Sequence, residues 1–138
     1  MRKGIILILV LLSALIISCN LPKAKKAKFN IPQEELKAKF EEFGELKDVK
    51  WRATVFDGDT SNSIVVSLNV KDDFFKTNKD EKIKVIGKNV MQVLFDIIDN
   101  ENDYNIYYVE FVNQKGAESV NVSRSSSYDY TREEIEGN

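Results

Sequence analysis

Two stretches near the middle of the chain alternate apolar and polar residues with a period of two. This period places every second side chain on the same face, as in strands that are buried on one side only. The segment from Asp57 to Asn62 lies between them and is dense in turn-forming residues, so the pair predicts a β-hairpin. The apolar face of this hairpin needs a covering layer, and the alternation assigns to that face Val49, Trp51, Val55, Ile64, Val66 and Leu68.

Two further stretches have the period of amphipathic helices and supply such a layer. The first follows Pro32 and ends before Gly44. The second is longer, and Asn78 followed by Glu81 three residues on predicts a capping box at its start. Gly87 lies beside the apolar stripe of this second helix and favours close packing there. The stripes are Leu36, Phe40 and Phe43 in the first helix, and Ile83, Ile86, Val90, Leu94 and Ile97 in the second.

Two more strands are predicted after the second helix, at about 104–113 and 117–124, which gives the order α-β-β-α-β-β. This order predicts an α+β fold, a two-layer sandwich in which a four-stranded, mainly antiparallel sheet carries two helices on one face. We predict a single domain at 30–124. Because residues 125–138 are polar, acidic and aperiodic, we expect them to form a flexible tail.

The N-terminus has the form of a secretory leader. Arg2 and Lys3 precede a run from Ile5 to Ile17 that is apolar except at Ser13. A membrane-spanning helix needs roughly 17 to 25 apolar residues, so this run is short for a span.

Ile16, Ile17, Ser18 and Cys19 follow as the end of this leader and resemble the lipobox of bacterial lipoproteins. The resemblance covers the leader alone. It implies that residues 1–18 are a signal peptide and that the Cys19 sulfur carries a diacylglyceryl group, often with a further acyl chain such as palmitate on the amino group. Two or three chains hold a protein stably on a membrane, whereas one does so marginally. An uncleaved anchor helix and a plain secretory signal are the alternatives.

Under this resemblance the partner of Cys19 is membrane lipid, and the domain lies on the extracytoplasmic side of the cell membrane or of an outer membrane. Segment 19–29 then acts as a basic tether, because it holds four lysines and no acid. It is either a solvated spacer or a segment that also contacts anionic headgroups. Its lysines are Lys23, Lys25, Lys26 and Lys28.

Net charge and composition exclude several classes of function. Removal of Arg2 and Lys3 with the leader changes the formal net charge from −2 to −4, so we expect no nucleic-acid partner. The chain has no histidine, and Cys19 is its single cysteine. Histidine-based triads and His- or Cys-ligated zinc are therefore excluded. No phosphate loop or nucleophile elbow occurs either, so we expect no enzymatic activity and no cofactor.

The face of the predicted sheet opposite the helices combines small polar residues with aromatic and aliphatic ones. Such a mixture is typical of a surface that binds a partner, although an ordinary exposed sheet face is the simpler interpretation. A slip of one residue in the third strand would exchange Tyr108 for Tyr107 on this face. The candidate interaction residues are Arg52, Ser67, Asn69, Ile106, Tyr108 and Asn121.

Acidic clusters are the candidates for cation binding. The segment from Asp57 to Asn62 places oxygen ligands at alternating positions, but it lacks the later glutamate of a calcium-binding EF-hand loop. A second cluster lies at the end of the second helix, where acids oppose the helix dipole. A hairpin turn and a hydrophilic helix exit are the simpler interpretations, so we predict no metal site. The second cluster consists of Asp96, Asp99, Glu101 and Asp103.

These observations together predict a membrane-anchored bacterial lipoprotein that is a non-catalytic interaction module of the cell envelope, with an envelope protein as its partner. The alternative is a lipoprotein that binds a small ligand or a cation.

Overall fold

Helices and strands follow one another through the part of the chain that the computed structural model describes, residues 22–115 and 122–137. Four strands form one sheet, and the fold is of the α+β class, as predicted. In chain order the elements are α1 (Gln33–Phe40), β1 (Glu45–Phe56), β2 (Asp59–Asn69), α2 (Phe74–Thr77), α3 (Asp80–Ile97), a 3-10 turn (Glu101–Asp103), β3 (Ile106–Lys115), β4 (Val122–Tyr130) and α4 (Arg132–Glu136).

The sheet has the order β1-β2-β3-β4 and is mixed. The outer pairs are antiparallel, but β2 and β3 are parallel, with Ser63 opposite Ile106. The prediction of a mainly antiparallel sheet was therefore wrong. The cause is α3, whose 18 residues span about 27 Å and carry the chain back along the sheet. Strand β3 consequently starts at the same end of the sheet as β2, and the two strands run in the same direction.

The apolar core lies between the sheet and the two longer helices. Leu36 and Phe40 of α1 share one buried cluster with the α3 stripe and with alternate residues of β2 and β3. Tyr107 is fully buried in this core, whereas Tyr108 lies on the opposite face and is half-buried. The predicted register of the third strand is thus the observed one.

The C-terminal segment corrects another prediction. Residues 125–137, expected to form a flexible tail, continue β4 as far as Tyr130 and then form α4. Tyr130 and Ile135 are both buried in the core. Strand β4 thus ends well beyond the predicted 117–124, of which residues 117–121 lie outside the described residues. The domain therefore extends past residue 124.

Helix capping also differs from the prediction. Asn78 and Glu81 form no capping box; the Asn78 side chain donates to the Phe74 carbonyl and ends α2 instead. A capping box is present at α4. There the Thr131 hydroxyl accepts from the Glu134 backbone N–H, and the Glu134 carboxylate accepts from the Thr131 backbone N–H.

Gly87 marks the closest approach of α3 to the sheet. A Cβ atom at this position would lie 2.3 Å from the Tyr130 hydroxyl and 2.8 Å from Val109 Cγ1. The Tyr130 hydroxyl also donates to the Lys84 carbonyl on α3 at 2.6 Å. Strand β4 is thereby held against the helix at a point that leaves no room for a side chain.

We expect Gly87→Ala to destabilise the protein by roughly 1–3 kcal/mol through overpacking. The cost of overpacking should exceed the gain of about 1 kcal/mol in helix propensity that alanine brings, so the net effect is a lower free energy of unfolding. Urea unfolding measures the difference, with Asn89→Ala on the exposed side of α3 as the matched control. In a Tyr130→Phe background, which lacks the nearest atom, Gly87→Ala should cost less. Equal stability of the Gly87→Ala and Asn89→Ala proteins would contradict the close packing.

Candidate functional site

The face of the sheet turned away from the helices, called the open face below, is the candidate site. No described helix covers it, and its outer residues on β1 and β4 are exposed. The register aligns its side chains in rows across the four strands, for example Lys50, Val65, Tyr108 and Asp129. The row below consists of Asp48, Ser67, Glu110 and Ser127.

The centre of the open face is apolar. Val65, Ile106, Tyr108 and Val112 all come from the two central strands, and the last three are half-buried. Val65 is only 9% exposed although none of the described helices covers it, because Lys50 and Tyr108 flank it. The centre is bordered on the β1 side by charged residues, where Lys50 lies 3.3 Å from Asp48, and on the β4 side by small polar and acidic residues. The border residues are Asp48, Lys50 and Arg52 on β1, and Ser125, Ser127 and Asp129 on β4.

The structure places the predicted interaction residues as follows. Arg52 is exposed at the β1 side, and Ile106 and Tyr108 form part of the apolar centre. Ser67 is 7% exposed and donates to Glu110 Oε2 at 2.8 Å, so its hydroxyl is already engaged. Asn69 is half-buried, and its Oδ1 accepts no hydrogen bond from the described residues. Asn121 lies outside the described residues.

Several open-face residues were missed by sequence reasoning. Lys47 reaches across β2 to donate to Gln114 Oε1 at 2.7 Å, which follows from an irregularity in the β1–β2 register between Leu46 and Asp48. Such a bulge leaves no clear trace in a hydrophobic pattern. The β4 residues were missed because they were assigned to the tail. A signal was present, since Tyr128 and Tyr130 alternate with polar residues.

A second structured region lies at one end of the domain, where residues 22–30 cross the end of α3; we call this segment the strap. The Asn100 side chain accepts from the Lys28 backbone N–H at 2.8 Å and donates to the Lys26 carbonyl at 3.0 Å. The Tyr104 hydroxyl donates to the Lys25 carbonyl at 2.8 Å. Phe29 forms a β-bridge with Ile98.

The strap corrects the prediction of a tether over 19–29 for residues 22–29, whereas Cys19 and the two residues after it lie outside the described residues. Ala27 is buried, and Phe29 packs against the core. These contacts are made mainly by backbone groups, which no side-chain pattern reports. The domain therefore begins before residue 30.

The strap also explains the acidic cluster at the end of α3. Asp103 pairs with Lys25 at 2.7 Å, and Glu101 lies 3.9 Å from Arg132 of α4. Hydrogen bonds from Lys25 and from Asn100 hold the pKa of Asp103 below its usual value. Lys25 and Arg132 thus lie beside the acids of the cluster that was considered as a candidate for cation binding. Among the described residues, no three acidic side chains are grouped as metal ligands.

The other candidate for cation binding considered in the sequence is the turn of the β1–β2 hairpin. Asp57 and Gly58 have φ values of 50° and 87°, which a two-residue turn of the type I′ kind requires, and Asp59 already belongs to β2. Residues 59–62 belong to β2, so their side chains point alternately to the two faces of the sheet. Their oxygen atoms therefore do not converge on one cation.

An open cleft of about 890 Å³ lies between α1, α2 and the start of β1. Phe43, Phe74 and Ile86 give it apolar walls, and Lys37 and Glu41 lie on its rim. The backbone packs tightly here, since a Cβ atom on Gly44, which has a φ of 154°, would lie 2.8 Å from the Asn69 carbonyl oxygen.

Comparison with known proteins finds no matching family model, curated protein or solved structure. Within the described residues, no helix combines the length and the apolar character needed to cross a membrane.

We expect Asn100→Ala to loosen the strap, because it removes both hydrogen bonds to the strap backbone. Trypsin should then cleave after Lys26 or Lys28 several times faster than in the parent protein. Asn102→Ala is the matched control, since the Asn102 side chain contacts Glu101 and Arg132 instead. Equal cleavage of both variants would show that Asn100 does not hold the strap.

Tyrosine ionisation should weaken the fold at alkaline pH. Burial raises the pKa of Tyr107 to about 12 and also raises the pKa of Tyr104 and of Tyr130. The unfolded chain ionises near pH 10 while the folded protein keeps its protons, so stability is intact below pH 10 and falls as the pH rises towards 12.

For Tyr107 this loss is of the order of 2 kcal/mol. Denaturant unfolding followed by circular dichroism at several pH values measures it. The Tyr107→Phe protein should start lower, because it loses the hydrogen bond to the Glu101 carbonyl at 2.6 Å. Its stability should nevertheless fall less steeply with pH, and an unchanged slope would contradict the assignment.

Proposed function

We propose that this chain is a bacterial lipoprotein, anchored through lipid on Cys19 and exposed on the extracytoplasmic side of the cell membrane or of an outer membrane. The resemblance of residues 16–19 to a lipobox supports this, as does the position of the single cysteine there. The strap agrees with such an anchor. Six residues from Cys19 to Ala24 precede Lys25, and even fully extended they reach at most about 20 Å.

The open face is, in this proposal, the surface that binds an envelope protein, and the domain acts without catalysis. The observation that carries the proposal is the apolar centre of the open face, which no described helix covers. Protein interfaces typically combine an aromatic and aliphatic centre with a polar rim. Tyr108 and Ile106 provide the centre, while Arg52 and Asp129 belong to the rim.

A small-ligand lipoprotein is the second candidate, and the cleft between α1 and α2 favours it. Its volume of about 890 Å³ lies within the range of small-molecule sites. Its apolar walls and charged rim fit an amphipathic molecule better than a bare cation. Thermal-shift screening of the protein with a metabolite panel tests this candidate.

The test of the open face uses the full lipidated protein in native membranes. A photo-crosslinking amino acid replaces Tyr108 in one protein and Val85 in another; Val85 lies on α3 and is 60% exposed. We expect one dominant protein to crosslink from position 108 and not from position 85. With that protein purified, Tyr108→Glu should lower the affinity at least about tenfold, and Val85→Glu should leave it unchanged.

Intact-mass measurement of the same preparation tests the anchor separately. A mass with lipid on Cys19 and without residues 1–18 is the expected result, and an uncleaved chain would overturn the proposed localisation. Identical crosslinks from both positions, or an affinity that Tyr108→Glu does not change, would overturn the role of the open face.

A further inference from the structure

The tip of the β1–β2 hairpin, residues 54–60, extends past the rest of the sheet. Strand β3 begins at Ile106, opposite Ser63, and Asn105 contacts Asn62, so the three pairs of the hairpin beyond Asn62 have no neighbour on the β3 side among the described residues. At about 3.4 Å per residue, the tip protrudes by roughly 10 Å. Every residue of the tip is exposed, including Val55 at 48% and Phe56 at 84%.

The tip and the strap lie at the same end of the domain. The Asn105 backbone N–H donates to the Asn62 carbonyl at 2.8 Å, at the base of the tip. The preceding residue, Tyr104, donates through its hydroxyl to the Lys25 carbonyl in the strap. The strap at Lys25 therefore lies near the base of the hairpin tip.

The apolar residues of the tip lie on both faces of the hairpin. Val55 lies four residues after Trp51 in β1 and therefore points to the same face, the helix side. Phe56 lies four residues after Arg52 and points to the open face. A flat docking surface on a partner protein would contact only one of these two faces. Apolar residues on both faces fit an environment that surrounds the tip, and the headgroup layer of a bilayer is such an environment.

We infer that the hairpin tip is a second membrane contact, which places Val55 and Phe56 in the interfacial layer of the bilayer that holds the lipid on Cys19. This inference rests on the proposed anchor. Asp57 and Asp59 set the depth of the contact: their carboxylates stay in the hydrated headgroup layer, so the tip lies along the interface and does not cross into the hydrocarbon. Exposed Lys23 and Lys26 in the strap offset the repulsion of these acids by anionic lipids.

The test uses the lipidated full-length mature protein in vesicles of phosphatidylethanolamine and phosphatidylglycerol. Lipid blocks the only native thiol, so a spin label can be attached to a single new cysteine. Thr60→Cys reports on the tip and leaves Val55 and Phe56 in place. Val85→Cys is the matched control, since it is exposed on α3 about 18 Å from the end of that helix at Ile97.

The measurement is the collision rate of each label with oxygen, which concentrates in lipid, relative to a water-soluble nickel complex. We expect this ratio to be at least about twofold higher at position 60 than at position 85. Adding Phe56→Ser to the Thr60→Cys protein should lower its ratio to that of the control. Equal ratios at positions 60 and 85, in protein that floats with the vesicles, would overturn the tip contact alone. A protein without lipid on Cys19 would overturn the anchor, and the tip contact with it.

Discussion

Helix α3 crosses the sheet with Gly87 directly against the Tyr130 hydroxyl and Val109, and the remaining architecture depends on this close approach. Because the helix runs the length of the sheet, β3 must begin at the same end of the sheet as β2. The two central strands are therefore parallel. Because the helix lies so close, β4 and the Tyr130 ring fit beneath it. The C-terminal segment is therefore part of the core, and the last helix, α4, packs back onto α3.

The same crossover gathers several features at one end of the domain. The turn that follows α3 receives the strap through Asn100 and Tyr104, and it meets α4 through the contacts of Arg132 with Glu101 and Asn102. The acids of this turn oppose the dipole of α3, and Lys25 and Arg132 compensate for them. The unfavourable interaction between these acids and the helix dipole is thus offset by the strap and by α4, which are far apart in sequence. Both ends of the described chain therefore contact the same turn.

The helices and strands that are marked by a regular spacing of apolar residues were predictable from the sequence. The first hairpin, both longer helices and the burial of Tyr107 rather than Tyr108 all follow from the spacing of apolar residues. The parallel pairing was not predictable in this way, since strand direction depends on where a helix returns the chain. The strap was missed because backbone groups make its contacts, and a run of lysines and alanines shows no period. In the candidate site, Ile106 and Tyr108 were found by alternation, whereas Lys47 depends on a bulge.

The position of the strap at one end of the sheet determines how the open face would be oriented relative to the membrane. Strands β2 and β3 both start at the end of the domain that carries the strap and run away from it. Under the proposed anchor, this end faces the bilayer, and the strands rise from it. The open face then stands across the membrane plane, with Ile106 near the lipid and Val112 further out. A partner bound to this face would approach from the side, so other proteins held on the same membrane are the partners that this geometry favours.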